Sequence, residues 1–248
     1  MEKNRIEEIE NLSLAFQPIV DLSSETEYLE FEILLRNKED NSFPAALFND
    51  LIKDEYVYSE FIKWFKSELI KQINNHPNYR FSINFFPVQL NFESTWSFLK
   101  DMSSYSSNII IEITEHPEPF RDHFDIEDNQ AEFVINIEKI AGFGYDISLD
   151  DISCGQYSLE FVLKNIKNIR NLKFTLLPFR NHEFDDIAIF IVAWYNLAQR
   201  HNKRFIIEGI EDKELSQSML DIGLTYQQGY NWPMFRDLKQ VELCGNSQ

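Results

Sequence analysis

The chain has 248 residues, 44% of them hydrophobic, which suits one large domain with a sizeable core. Its formal charge of −18, from 23 Lys and Arg against 41 Asp and Glu, speaks against a footprint on polymeric nucleic acid or an anionic membrane, since either needs clustered cations. A small phosphate ligand stays open, because bound divalent cations invert the local field.

Two cysteines, Cys154 and Cys244, are too few for a disulfide framework and fit a reducing compartment. The polar, acidic N-terminus is no signal peptide, and the longest apolar run, Ile187 to Ala198, is too short to span a bilayer. A cytoplasmic protein without membrane insertion is expected.

In chain order, the first dozen residues read as a lead-in helix. Leu12 to Val20 and Tyr28 to Leu35 read as two strands joined by the polar turn Asp21 to Glu27, a hairpin. Pro44 opens a helical region in which Phe61, Trp64, Phe65 and Leu69 recur at helical spacing and face the core. Strands and helices then alternate. Arg80 to Phe86 is a strand and Ser94 to Met102 a helix. The strand Asn108 to Ile113 is followed by an acidic, proline-containing loop and a helix from Ala131 to Ala141, which Gly142 stops. The strand at 145–150 precedes a helix at Ser158 to Lys164, and the strand Asn171 to Phe174 precedes a helix from Asp186 to Gln199. Arg204 to Ile207, the helix Lys213 to Asp221 and a last strand at Thr225 to Gln227 complete the series.

Repeated strand–helix units over this length predict an α/β fold with a closed (β/α) barrel. No Gly-x-Gly-x-x-Gly follows a strand, which argues against a dinucleotide-binding half. One domain over 1–248, with its core at about 12–238 and no added sensory or cyclase domain, is expected.

In a barrel the strand ends converge on one face. At or beside them stand Glu32 and Arg36, Asn84, Glu112 and Glu115, Asp150 and Asp151, Lys173, Glu208 and Glu211, and Gln228. Asp185-Asp186 serves as a control, since a second Asp pair there reads simply as a helix N-terminus. Taken singly, Glu112 and Glu208 read as rim carboxylates, Asn84 as a turn residue and Lys173 as a surface lysine. Together they form an oxygen-donor set, without histidine or cysteine clusters, that suits Mg²⁺ or Mn²⁺ better than zinc. Two such ions could serve in-line displacement at phosphorus, with Asp150 placed to bridge them and Asp151 reaching the second. Lys173 is a candidate to orient the attacking water, and Arg36 to bind a phosphate oxygen through its paired donors.

These motifs resemble those of the EAL-type cyclic di-GMP phosphodiesterases, over about Leu12 to Leu238. Gln17-Pro18-Ile19 matches Q-P-I, and Glu32-Ile33-Leu34-Leu35-Arg36 matches E-A-L-L-R with Ile for Ala. Asn84-Phe85-Phe86-Pro87 stands for N-x-S-P, and Glu112 to Glu115 keeps E-I-T-E. Asp150-Asp151-Ile152-Ser153-Cys154-Gly155 stands for D-D-F-G-T-G, and Lys173-Phe174-Thr175 for K-I-D. Glu208-Gly209-Ile210-Glu211 stands for E-G-V-E, and Gln228 to Tyr230 keeps Q-G-Y.

The resemblance implies a modified (β/α)₈ TIM-type barrel with an antiparallel first strand, hydrolysing cyclic di-GMP to linear pGpG with two Mg²⁺ or Mn²⁺ ions. It implies that Glu32, Asn84, Glu112 and Asp150 hold one ion, and Asp150, Asp151 and Glu208 the other, with Glu208 either ligand or base. It assigns the nucleophilic water to Lys173, substrate or supporting contacts to Gln17, Arg36, Glu211 and Gln228, and the steadying of the loop after Asp151 to Glu115. In this family that loop couples dimerisation to metal binding, so a homodimer through it is an expected partner.

The departures are Ile152, Ser153 and Cys154 in the loop and Thr175 for an acid beside the lysine. Cys154 reads as an inert turn thiol or a redox switch. Three functions follow: an active phosphodiesterase, a catalytically silent module that binds cyclic di-GMP or a protein, and a different metal-dependent phosphodiesterase.

Overall fold

The computed structural model describes residues 7–23, 28–114, 126–152, 154 and 157–241. Outside them lie residues 1–6 of the expected lead-in helix, the turn residues 24–27 and the proline-containing loop with Glu115. Ser153, Gly155 and Cys244 also lie outside.

Eight strands close into a barrel in sequence order: β1 (Leu12–Asp21), β2 (Glu30–Asn37), β3 (Arg80–Phe85), β4 (Ile109–Ile113), β5 (Asp146–Leu149), β6 (Asn171–Thr175), β7 (Arg204–Glu208) and β8 (Tyr226–Gln228). β1 runs antiparallel to both β2 and β8, and the other neighbours are parallel. The short link between β1 and β2 permits only a hairpin, because a parallel return needs a crossover. Helices supply those crossovers: α1 (Ala45–Leu51), α2 (Glu55–Asn75), α3 (Glu93–Asp101), α4 (Ile126–Gly142), α5 (Leu159–Asn165), α6 (Phe184–Arg200) and α7 (Lys213–Asp221).

Pro18 in β1 shows how the sequence tolerates this topology. Phe16 N–H donates to the Phe235 carbonyl at 2.8 Å, and β8 pairing resumes at Ile19. The missing N–H of Pro18, on the same side of the strand, therefore falls in the gap between them.

The helices form for local reasons. Asp54 caps α2 by accepting from Tyr56 N–H at 2.9 Å, and Asp185 and Asp186 occupy the first turn of α6, as the control reading expected. Phe61, Phe65 and Leu69 bury one face of α2 against the sheet, with Trp64 half-buried beside them. Each fully buried residue of that kind contributes on the order of 1.5–3 kcal/mol before chain entropy is counted. α4 starts at Ile126, earlier than the apolar spacing indicated. Gly142 is its last helical residue, and Gly144, at φ +92°, makes the left-handed exit that the sequence reading gave to Gly142.

Period-two alternation sorts every strand into an outward face, packed under the helices, and an inward face. Ile19, Ile110 and Ile206 share the inward face with Gln17, Glu112 and Glu208, two residues away along their strands. Further down, buried Glu30 accepts from Arg204 Nη2, and the Arg204 guanidinium lies 4.7 Å from the Tyr226 ring centre. This ion pair plugs one end of the barrel; the other end is left for chemistry.

Candidate active site

Register brings the inward polar residues level. Gln17 stands opposite Glu32, Asn84 opposite Glu112, and Glu208 opposite both Thr175 and Gln228. The residues do not all lie at strand ends. Glu32 is only the third residue of β2, because the β1–β2 hairpin continues past it to Asn37 paired with Leu12. Lys173 is central in β6 and 1% exposed, so it is no surface lysine; Glu112, at 0%, is no rim carboxylate. The single-residue readings fail here because a buried charge needs opposite charge beside it, and that comes from other strands of the barrel.

Lys173 Nζ lies 2.5 Å from Glu112 Oε1 and 2.6 Å from Glu208 Oε1, with Asp150 at 3.5 Å and Glu32 at 3.6 Å. Ser82 Oγ donates to the other Glu112 oxygen at 2.6 Å. Glu32 accepts from Asn84 Nδ2 at 2.7 Å and from Gln228 Nε2 at 2.5 Å. Gln17 Nε2 donates to the Gly229 carbonyl at 3.0 Å, tying β1 to the segment that carries Gln228.

One ammonium facing four carboxylates leaves a surplus of negative charge. Burial, then the neighbouring Glu32 and Asp150 charges, push Glu112 well above the ordinary carboxylate range despite Lys173; burial and the same kind of crowding raise Glu208. Burial works against the Lys173 ammonium, but the four acids outweigh it and hold its pKa well above the usual lysine value. At Glu32, burial pushes up, while Lys173 and the two amide donors pull further and leave it below its usual value.

The turn after β5 aims the adjacent aspartates. Asp150 N–H bonds the Ile113 carbonyl at 3.1 Å, and Ile152 N–H bonds the Lys173 carbonyl at 3.0 Å. Between them Asp151 adopts φ +50°, a left-handed conformation that an aspartate tolerates better than a branched residue. Ile152 is fully buried and anchors the turn as an apolar plug. As a result, ligand oxygens of Asp150, Asp151 and Glu208 lie within 4.8 Å of one another.

Among the described residues, Asn84 Oδ1, Asp150 Oδ1 and Gln228 Oε1 are buried without a hydrogen-bond donor, Lys173 approaching Asp150 only to 3.5 Å. Unsatisfied acceptors in an acidic cluster are what a divalent cation would satisfy, and an all-oxygen donor set fits Mg²⁺ or Mn²⁺. The residues therefore fit the ions that the sequence implies.

Two cavities meet at this cluster. One, of about 350 Å³, reaches Asn84, Asp150 and Asp151 and continues between aromatic side chains of α2 and β3. The other, of about 660 Å³, opens over Gln17, Glu208, Gln228 and Tyr230. Both are lined by Glu32 and Arg36. Arg36 bonds the Leu35 carbonyl at 2.8 Å and lies 3.7 Å from the Met234 sulfur, leaving its guanidinium without a carboxylate partner among the described residues. Glu211 lines neither cavity; it is about half exposed and paired with Arg180. Sequence reasoning missed Ser82, although its place two residues before Asn84 puts it on the same strand face. It also missed Arg180, for which no local signal exists.

Residues 3–233 match the family described as EAL domain. A protein named probable cyclic di-GMP phosphodiesterase PdeI from Escherichia coli is 25% identical over 247 residues, covering 90% of this chain and 29% of that protein. The chain spans less than a third of the length of the curated relatives it matches. Among solved structures, the PaMucR phosphodiesterase in complex with c-di-GMP is similar at TM-score 0.73 and 21% identity, covering 93% of this chain and 99% of that one. Klebsiella pneumoniae BlrP1, in a manganese and cyclic di-GMP complex, is similar at TM-score 0.69 and 17% identity, covering 91% and 56%. At such identities these two likenesses carry the fold alone.

Proposed function

This chain belongs to the EAL domain family, and from that premise we propose that it is a divalent-metal-dependent phosphodiesterase that opens cyclic di-GMP to linear pGpG. The observation that carries the reading is the convergence of Asp150, Asp151 and Glu208 oxygens within 4.8 Å, beside the donorless Asn84 Oδ1 and Asp150 Oδ1.

Glu32, Asn84, Glu112 and Asp150 would hold one ion, and Asp150, Asp151 and Glu208 the second. Mg²⁺ or Mn²⁺ there would supply Lewis acidity toward the phosphoryl oxygens and acidify water. The chain's own groups do the positioning. Lys173, fixed between Glu112 and Glu208, donates to the attacking water and offsets the negative charge carried by the phosphoryl oxygens in the transition state. Glu208 gives one oxygen to Lys173, which leaves the other for an ion or for the proton of the water. Arg36 presents its guanidinium edge to a phosphate oxygen. Gln228 and Gln17 hold Glu32 and the 228–229 backbone in place. Glu115, outside the described residues, is assigned the support of the loop after Asp151.

The test is turnover. Purified protein with Mn²⁺ or Mg²⁺ should convert cyclic di-GMP to pGpG, and Asp150→Asn should lose at least about a thousandfold of kcat while folding normally. A folded wild type that yields no linear product refutes the reading. A silent, nucleotide-binding role is favoured by one feature: Thr175, buried at 4%, spends its hydroxyl on the Leu177 N–H at 3.3 Å and offers no carboxylate to Lys173. Calorimetric binding without turnover would select that role.

A further inference from the structure

We infer that Arg180 is a substrate-positioning residue, the cation that receives the phosphate not being cleaved, with Glu211 occupying that anion position in the free protein. The inference rests on the cyclic dinucleotide reading above and adds to it a residue that the motif comparison does not supply.

A cyclic dinucleotide carries two phosphates, and the mouth it must enter is acidic. Among the described residues, the cations lining the larger cavity are Arg36 and Arg180. Arg36 projects from β2, and Arg180 from the connection between β6 and α6, so they come from opposite sides of the barrel. Glu32 and Glu208 line the space between them. Away from Lys173 and the metal cluster, these two guanidiniums are the countercharge that the described lining of this cavity offers an anion.

The backbone that carries Arg180 is tied to the cluster. Leu176 N–H donates to the Glu208 carbonyl at 3.0 Å, which ties the Arg180-bearing turn to the residue proposed to hold the second ion. Gly209, at φ +80°, lets Leu177 approach so closely that a Cβ there would lie 3.2 Å from Leu177 Cδ2. Phe179 stacks on buried Phe174 with ring centres 5.8 Å apart. These three contacts hold the turn Leu177–Phe179 against the ends of β6 and β7 and fix where Arg180 begins.

The guanidinium already faces an oxyanion. Its Nη2 donates to Glu211 Oε1, and both side chains are about half exposed, at 53% and 47%. Exchange of this carboxylate for a phosphate oxygen therefore needs little new desolvation, and it replaces one charge-assisted bond with another of the same geometry. Tyr230, 80% exposed on the same cavity, offers a ring face for a nucleobase beside that phosphate.

The opposed roles of the two partners give the test its sign. Arg180→Ala should raise KM and Kd for cyclic di-GMP about tenfold, with kcat changing less than about threefold, and Arg180→Lys should recover part of the loss. Glu211→Gln should lower Kd, because the resident competitor is gone, and the double variant should behave as Arg180→Ala. Bis(p-nitrophenyl) phosphate, which has one phosphate, should show a much smaller KM change on Arg180→Ala. A merely structural strut would make Glu211→Gln and Arg180→Ala equally harmful, and that result overturns the inference. An unchanged Kd in a well-folded Arg180→Ala overturns it too, while wild-type turnover keeps the phosphodiesterase reading standing. Failure of wild type to bind cyclic di-GMP at all removes both.

Discussion

Replacing Lys173 with methionine tests the site's electrostatics independently of turnover. The side chain keeps its approximate length, but the ammonium leaves a spot 2.5 Å from Glu112 and 2.6 Å from Glu208, with two more carboxylates within 3.6 Å. Glu112 is wholly buried, so its loss of countercharge resembles the breaking of a buried ion pair, which costs about 3–5 kcal/mol. For a chain of this size roughly 2–4 °C of Tm corresponds to each kcal/mol, so Tm in chelator should fall on the order of 10 °C.

Divalent ions should then return more to the variant than to wild type, because the ion no longer shares the cluster with a fixed positive charge. At a thousandfold excess over Kd the return is about 4 kcal/mol, enough to close most of the gap. The assay is thermal unfolding of both proteins in EDTA and across a Mn²⁺ titration. Equal Tm values in chelator, or equal Mn²⁺-induced rises, would refute the claim that lysine and metal neutralise the same carboxylates.

Three further outcomes follow from local geometry. Gly229→Ala drives a Cβ into the Ile210 carbonyl oxygen and nitrogen, so backbone must move; the expected cost is about 2–4 kcal/mol, with kcat reduced through displaced Gln228, read by urea unfolding and turnover. Ser82→Ala removes the donor from a buried Glu112 oxygen and should destabilise by about 1–3 kcal/mol in chemical denaturation. Arg204→Met strands buried Glu30 and should cost about 3–5 kcal/mol, whereas adding Glu30→Leu should return most of it. A single-variant loss that the second substitution leaves unchanged would show that the pair carries no electrostatic role.

The barrel was legible because its signals are local and repeated. The alternation that puts Ile147 and Leu149 in β5, the hairpin spacing before Glu32 and the strand–helix rhythm all survive in one dimension. Boundaries were less legible where tertiary contact sets them. Arg36 falls inside β2 because the hairpin outruns the barrel, and the left-handed exit of α4 falls to Gly144 instead of Gly142.

The kinds of atom available were written in the chain: oxygen donors on successive units, one lysine among them and almost no sulfur or imidazole to compete for a hard cation. Their partnership was decided only by closure of the sheet. Lys173 and Glu112 are sixty-one residues apart, and each alone would be read as solvated; strand register buries both and sets the ammonium among carboxylates from four strands and turns. Ser82 on Glu112 and Arg180 on Glu211 are of the same kind, since no sequence spacing encodes a side-chain hydrogen bond between neighbouring strands or the turns that follow them. Composition fixes which charges exist, whereas three-dimensional closure fixes which of them must share a dry space.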